Sequence, residues 1–187
     1  MGISMLGMGK GSECPAASYR GGGKCHGFSL LELMTTVAVL AILVAIAVPS
    51  FTTLINSNRL TSQANELVVA FQYARSEAAR LNSRVTLCPS SDGESCSGGD
   101  WSRTIAIVAK NNTVLRESAV SGKTSISADV ASVTFGADGL AHDTSGLLAT
   151  ANVTVCLDTT RPTENRRVVQ LVGGSRVSIQ QATGACQ

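Results

Sequence analysis

Few side chains in this 187-residue sequence are placed to do chemistry, and the clearest is a carboxylate in apolar surroundings. Glu32 stands near the start of a hydrophobic stretch, and from Val37 to Val48 the sequence is wholly apolar (VAVLAILVAIAV). A carboxylate within a membrane-length segment costs on the order of 3 kcal/mol and usually marks a partner or a function. Just upstream, a basic, glycine-rich leader ends at Lys24-Cys25-His26-Gly27-Phe28. An ordinary secretory signal is cut after its apolar core. Here the candidate cut, between Gly27 and Phe28, comes before the core and would leave the hydrophobic segment in the product.

The cysteines sort by compartment. Cys14 and Cys25 belong to the leader, whereas Cys88, Cys96, Cys156 and Cys186 follow the apolar segment. An even count in an exported region suggests disulfides, with three pairings open to four cysteines. A Cys88–Cys96 link closes the polar loop Pro-Ser-Ser-Asp-Gly-Glu-Ser, and a Cys156–Cys186 link pins the C-terminal tail to a strand. Loop entropy makes these worth about 2.5 and 3.5 kcal/mol. No close Cys-x-x-Cys pair is present and His142 is the one histidine after the leader, so neither a metal nor another cofactor is expected. His142 beside Asp143 reads as a solvated loop pair. Ser175 follows two glycines with no histidine nearby to activate it, and no phosphate-cradling glycine loop occurs. The chain does not read as an enzyme.

What remains is charge. The leader holds three basic residues against one acidic, which leaves twelve of each sign in the rest of the chain. From Thr159 onward, however, Arg161, Arg166, Arg167 and Arg176 face only Glu164. Such arginines either solvate a sheet edge and discourage strand pairing or neutralise phosphates with salt-dependent, sequence-independent affinity.

These groups need elements to hold them. Phe28 to Val48 as a helix spans about 31 Å, close to the ~30 Å hydrocarbon thickness. Positive charge in the leader places it in the cytoplasm and the C-terminal bulk across the inner membrane, a single pass with a periplasmic domain. After Pro49, which should bend or loosen the helix, apolar residues recur at Leu60, Ala64, Leu67, Val68, Phe71, Ala74, Ala78 and Leu81. Spacings of three and four define one stripe, so an amphipathic half continues to about Asn82. Charged Arg59, Glu66, Arg75, Glu77 and Arg80 mostly take the other faces.

Beyond Arg84 the pattern changes to short β-type runs. Strands are expected near Val85–Cys88, Thr104–Ala109, Val114–Glu117, Ser125–Ser127, Ser132–Phe135, Val153–Leu157, Val168–Leu171 and Arg176–Ile179. Asp138-Gly139 and Gly173-Gly174 mark turns, the latter closing a C-terminal hairpin. Residues 141–151 read as a loose surface connection. The expected class is α+β, a long helix packed on antiparallel sheet. The expected divisions are 1–27 (leader), 28–48 (membrane helix), 49–83 (amphipathic helix) and 84–187 (β domain).

The N-terminal pattern resembles the class III signal of type IV pilins and type II secretion pseudopilins. Gly27 stands at the cut, Phe28 is first, Glu32 fifth and Pro49 twenty-second. The stretch Val85-Thr86-Leu87-Cys88-Pro89-Ser90-Ser91-Asp92-Gly93, followed by Cys96, Asp100 and Trp101, is similar to the GspH/FimT family of minor pilins and pseudopilins. Members usually have a glycine shortly after the tryptophan, where this chain has Thr104. The resemblance implies a pilin-like fold and cleavage by prepilin peptidase. It also implies N-methylation of Phe28 and pairing of Glu32 with the free amine of Phe28, commonly on a neighbouring subunit. Implied partners are other pilins or pseudopilins, the peptidase and the inner-membrane assembly platform.

The implied role is structural: a minor subunit that helps prime a type IV pilus or a type II secretion pseudopilus. Trp101 reads as a core anchor beneath the disulfide loop. Some members used in DNA uptake carry Gly-Arg-x-Arg in the last hairpin. Here the corresponding stretch is Gly173-Gly174-Ser175-Arg176-Val177-Ser178, which matches at Arg176. The alternative reading is therefore a DNA-binding pilin for transformation, with Arg166 and Arg167 supplementing Arg176 across the hairpin.

Overall fold

The computed structural model describes residues 28–98, 100–120, 122–143 and 145–186. The leader, with Cys14, Cys25 and Gly27, lies outside the described residues. Among the described residues one helix and nine strands follow in order: α1 (Leu30–Leu81), β1 (Val85–Pro89), β2 (Arg103–Val108), β3 (Thr113–Ala119), β4 (Thr124–Ala128), β5 (Val133–Phe135), β6 (Ala141–His142), β7 (Ala151–Leu157), β8 (Arg166–Val172) and β9 (Arg176–Ala182). By contacts the chain divides into two units, one ending at Ile42 and one beginning at Leu43.

The first part of α1 has no interior of its own. From Phe28 to Ile55 its large apolar side chains are exposed, and it is long and apolar enough to cross a membrane. Helix formation here is satisfied internally, since every backbone bond is made within the segment. Past Asn56 the stripe read from the sequence is the buried face: Leu60, Ala64, Leu67, Phe71, Ala74 and Ala78 enter the core. Small alanines alternating with Leu and Phe allow close approach to the sheets.

The β region forms two antiparallel sheets, ordered β3-β2-β1-β5-β6 and β4-β7-β8-β9. Strand alternation decides which side chains meet the helix. Val153, Val155, Val169 and Leu171 of the second sheet join Leu87, Val133 and Phe135 of the first in one core with α1. Phe71 meets Phe135 edge to face, with ring centroids 6.4 Å apart. Trp101 is buried in the same core, and its backbone N–H donates to Ile126 O at 3.2 Å.

Residues 141–151 correct the sequence reading. They are a seam between the sheets. Ala141 is fully buried and donates its N–H to Gly174 O at 2.7 Å. Ala149 donates to Ala141 O at 2.8 Å, and Gly174 to Ala149 O at 2.9 Å. The backbone makes these bonds, so a side-chain pattern carries no trace of them. They also explain why Gly174 is glycine: its φ is +71°, and a Cβ there would stand 2.6 Å from Ala141 O.

The seam holds a charged contact as well. His142 pairs with Asp138, Nε2 to Oδ2 at 2.9 Å, and not with the adjacent Asp143 anticipated from sequence. Its Nδ1 faces Gly146 O at 3.3 Å. Both ring nitrogens thus meet acceptors, and only the imidazolium has a proton for each. Asp138 raises the His142 pKa first, the Gly146 carbonyl second, with Asp143 adding a field. The Leu140 N–H and then His142 lower that of Asp138. The histidine's contribution is complete below its ordinary value and fades as pH rises through the raised one. The aspartate's is complete above its ordinary value and fades as pH falls through the lowered one. The contact is therefore strongest between about pH 4 and 6.5. In the wild-type chain, NMR titration of the imidazole should give a midpoint above the ordinary histidine value, and Asp138→Asn should lower it. A wild-type midpoint at or below the ordinary value would refute the assignment.

Candidate functional site

The N-terminal groups come first. The Ser29 carbonyl accepts the first helical bond, from Leu33 N–H at 3.0 Å, so α1 begins at Leu30 and not at Phe28. Glu32 falls in the first turn, where a carboxylate is favoured by the positive end of the helix dipole. Its side chain is exposed and, among the described residues, makes no hydrogen bond or ion pair within the chain. Pro49 does not interrupt α1; the Thr52 and Thr53 hydroxyls donate to the carbonyls of Val48 at 3.1 Å and Pro49 at 3.0 Å.

Where α1 acquires a buried face, the β7–β8 connection holds it. Asn56 Nδ2 donates to Arg161 O at 2.8 Å, and Arg167 Nη2 donates to Ser57 Oγ at 3.2 Å. Arg167 is only 3 % exposed, and its Nη1 also donates to the Glu164 and Arg166 carbonyls, each at 2.9 Å. Its donors are used inside the protein. Arg167 is a structural clamp and presents no charge to a phosphate, which corrects its place in the anion-binding set.

The other arginines do not cluster either. In the β8–β9 register Arg166 faces Ala182, while Arg176 faces Val172 at the opposite end. The six intervening steps put roughly 20 Å of strand between them. Arg166 is half-buried: its Nε is buried without a partner, and its guanidinium lies against Gly184, where a Cβ would stand 2.9 Å from Cζ. Arg176 is exposed. The sequence signal missed this because a hairpin joins residues around its turn, and Arg166 lies seven residues before Gly173.

The cysteines pair as Cys88–Cys96 and Cys156–Cys186. The first bond ties β1 to the loop that follows it. Within that loop Asp92 accepts from the Ser95 and Glu94 N–H groups, each at 2.9 Å, and from the Ser95 and Ser90 hydroxyls, each at 2.8 Å. These donors hold its carboxyl far below the usual carboxylate range, the backbone of Ser95 most of all. The second bond fastens the tail after β9. Asn165 assists it, donating to Gly184 O at 2.9 Å and accepting from Gly184 N–H at 3.1 Å.

Sequence reasoning gave Arg75 no role beyond a solvated helix face. Its Nη1 donates to Ser175 O at 3.4 Å, beside Arg176. Only the packing of α1 against the β8–β9 turn makes that pairing, and no motif could have announced it.

Comparison with known families and folds gives a consistent outcome. A family model described as type II transport protein GspH matches residues 63–175, and the prokaryotic N-terminal methylation motif matches residues 23–48. The chain is similar in fold to the crystal structure of the type IV minor pilin FimU of Pseudomonas aeruginosa. The two are 22% identical, with 66% of this chain and 90% of that one covered and a TM-score of 0.50. The minor pseudopilin EpsH from the type 2 secretion system of Vibrio cholerae aligns at 7% identity and a TM-score of 0.48, over 66% of this chain and 97% of its own. A search of curated protein sequences finds no significant match.

Proposed function

The chain belongs to the family of the type II transport protein GspH and carries the prokaryotic N-terminal methylation motif, and from that premise we propose that it is a minor subunit of a type IV pilus or type II secretion pseudopilus. The observation that carries the proposal is the composition of α1. Its exposed apolar part holds one carboxylate without a partner among the described residues, and its later part is built into the β-domain core.

Prepilin peptidase cuts after Gly27 and leaves Phe28 with a free amine that is then methylated. Residues 28–48 hold the subunit in the inner membrane until assembly and enter the filament core afterwards. Residues 49–83 pack on the β domain, 84–187, which lies in the periplasm. Glu32 gives the apolar helices a register by pairing with the Phe28 amine of a neighbour. The pilin-assembly platform brings the subunits together, and no cofactor is used. This assembly role involves no catalysis.

DNA binding is the less favoured reading. A protein that grips duplex DNA usually neutralises about 6–10 phosphates. Here Arg167 is buried and Arg166 is half-buried far along the strand from Arg176. One exposed cation from the original set gives a slope near one in log affinity against log salt.

Mass spectrometry of the chain recovered from its host membranes tests the processing step. The expected N-terminal peptide begins at methylated Phe28. Recovery of an intact leader, or of a cut after Val48, would reject a pilin-type subunit. Co-purification with sheared pili or with secretion components then separates the two assemblies.

A further inference from the structure

Arg75 and Arg176 are distant in sequence and share one cleft. Arg75 projects from α1, and Arg176 opens β9 just after the Gly173–Ser175 turn. The hydrogen bond from Arg75 to Ser175 O ties the first side chain to the residue just before the second. Arg75 also crosses the β5–β6 turn, where a Cβ on Gly139 would stand 3.5 Å from its Nε. The cleft has a volume of about 290 Å³ and is lined by Phe71, Gln72, Arg75, Phe135, Arg176 and Val177. Phe71 and Phe135 are each 1 % exposed and form an apolar floor.

Two surface arginines find local anions. Arg80 pairs with Glu77, and Arg103 with Glu117. Among the described residues neither Arg75 nor Arg176 has a carboxylate within salt-bridge distance. Asp138, on the neighbouring turn, is already held by His142 and by the Leu140 N–H. The cleft therefore places two forked donors on one concave surface with an apolar wall and no internal counter-charge. Low-dielectric walls focus such a field, and guanidinium forks match a carboxylate in plane and spacing.

We propose that this cleft is a subunit-contact site in which Arg75 and Arg176 clamp an acidic side chain of a neighbouring filament subunit; the inference rests on the filament reading above. Size and shape select that occupant. A volume near 300 Å³ is at the lower limit for small-molecule sites, enough for one protruding side chain. Duplex DNA presents a convex backbone and needs many cations, of which two are supplied here. An acidic side chain needs only the pair, and its methylene stem lies on the phenylalanine floor.

The test uses the full-length chain in its host, with Arg75→Glu, Arg176→Glu, the double variant and Glu32→Ala in parallel. Both arginines are exposed, so membrane level and melting temperature should stay at wild-type values. The fraction recovered in sheared filaments or pseudopili should fall at least tenfold in the double variant. A photo-crosslinker at Gln72 should capture a neighbouring subunit at or beside an acidic residue. Changing that residue to arginine should restore the double variant. Wild-type incorporation of the double variant, with Glu32→Ala excluded, would overturn the cleft contact while leaving the filament reading intact. Absence of the wild-type chain itself from sheared filaments and pseudopili would remove the filament reading and the contact with it. Loss of duplex-DNA binding in the double variant, with incorporation unchanged, would assign the cleft to nucleic acid and equally overturn the proposal.

Discussion

A chain with Glu32 changed to alanine is expected to accumulate in the membrane at normal or higher level and to be missing from filaments. The two effects have opposite signs for one physical reason. Within hydrocarbon the carboxylate costs on the order of 3 kcal/mol, so its removal favours the membrane-inserted subunit. In the assembly proposed above, a neighbour's ammonium would offset that cost, and alanine would forfeit the pairing. A difference of about 3 kcal/mol is a factor of roughly 100 in partition between membrane and filament. Immunoblots of sheared filaments against membrane fractions read it directly. Glu32 has no partner within the chain among the described residues, so a fold defect should not accompany the loss. Filaments containing the alanine variant at wild-type level would leave Glu32 as a helix-terminal charge and nothing more.

Removing the Cys156–Cys186 bond by paired serine substitution should lower the stability of the β domain by about 3.5 kcal/mol. The Cys88–Cys96 pair should cost less, about 2.5 kcal/mol, because it closes a loop of 8 residues against 30. The larger loop runs from the end of β7 through β8 and β9, and its closure also fixes the tail that Asn165 grips at Gly184. For a chain of this size the drop corresponds to roughly 10 °C in melting temperature. Thermal denaturation followed by circular dichroism, with and without each pair, gives the ranking. Equal shifts for the two pairs would refute the loop-length argument. A Cys88–Cys156 link in non-reducing peptide mapping would refute the topology itself.

Much of this molecule was legible because its signals are local. The helix showed as a three-and-four spacing from Leu60 to Ala78, and those residues are the buried face. Eight strands showed as short apolar runs between turn residues, and each has its counterpart among the strands observed. The ninth, Ala141–His142, did not. It is two residues long and is held by backbone bonds to Gly174 and Ala149. Hydrogen bonds of that kind depend on which segments meet, and any residue with a free N–H can make them. Trp101 was placed in the core because a large indole seldom leaves water for any other reason.

The candidate site divides in the same way. By itself the sequence determined the apolar helix with one carboxylate, the glycine and phenylalanine ahead of it, and four cysteines beyond it. Each is a statement about neighbours along the chain, and hydrophobic length and residue chemistry settle it. Only the tertiary structure decided which arginines are available. It buries Arg167 against Ser57, turns Arg166 toward Gly184, and brings Arg75 of the helix beside Arg176 of the last hairpin. Burial and pairing of a long charged side chain follow from what packs against it. For Arg75 and Arg167 those neighbours are 100 and 110 residues away in sequence.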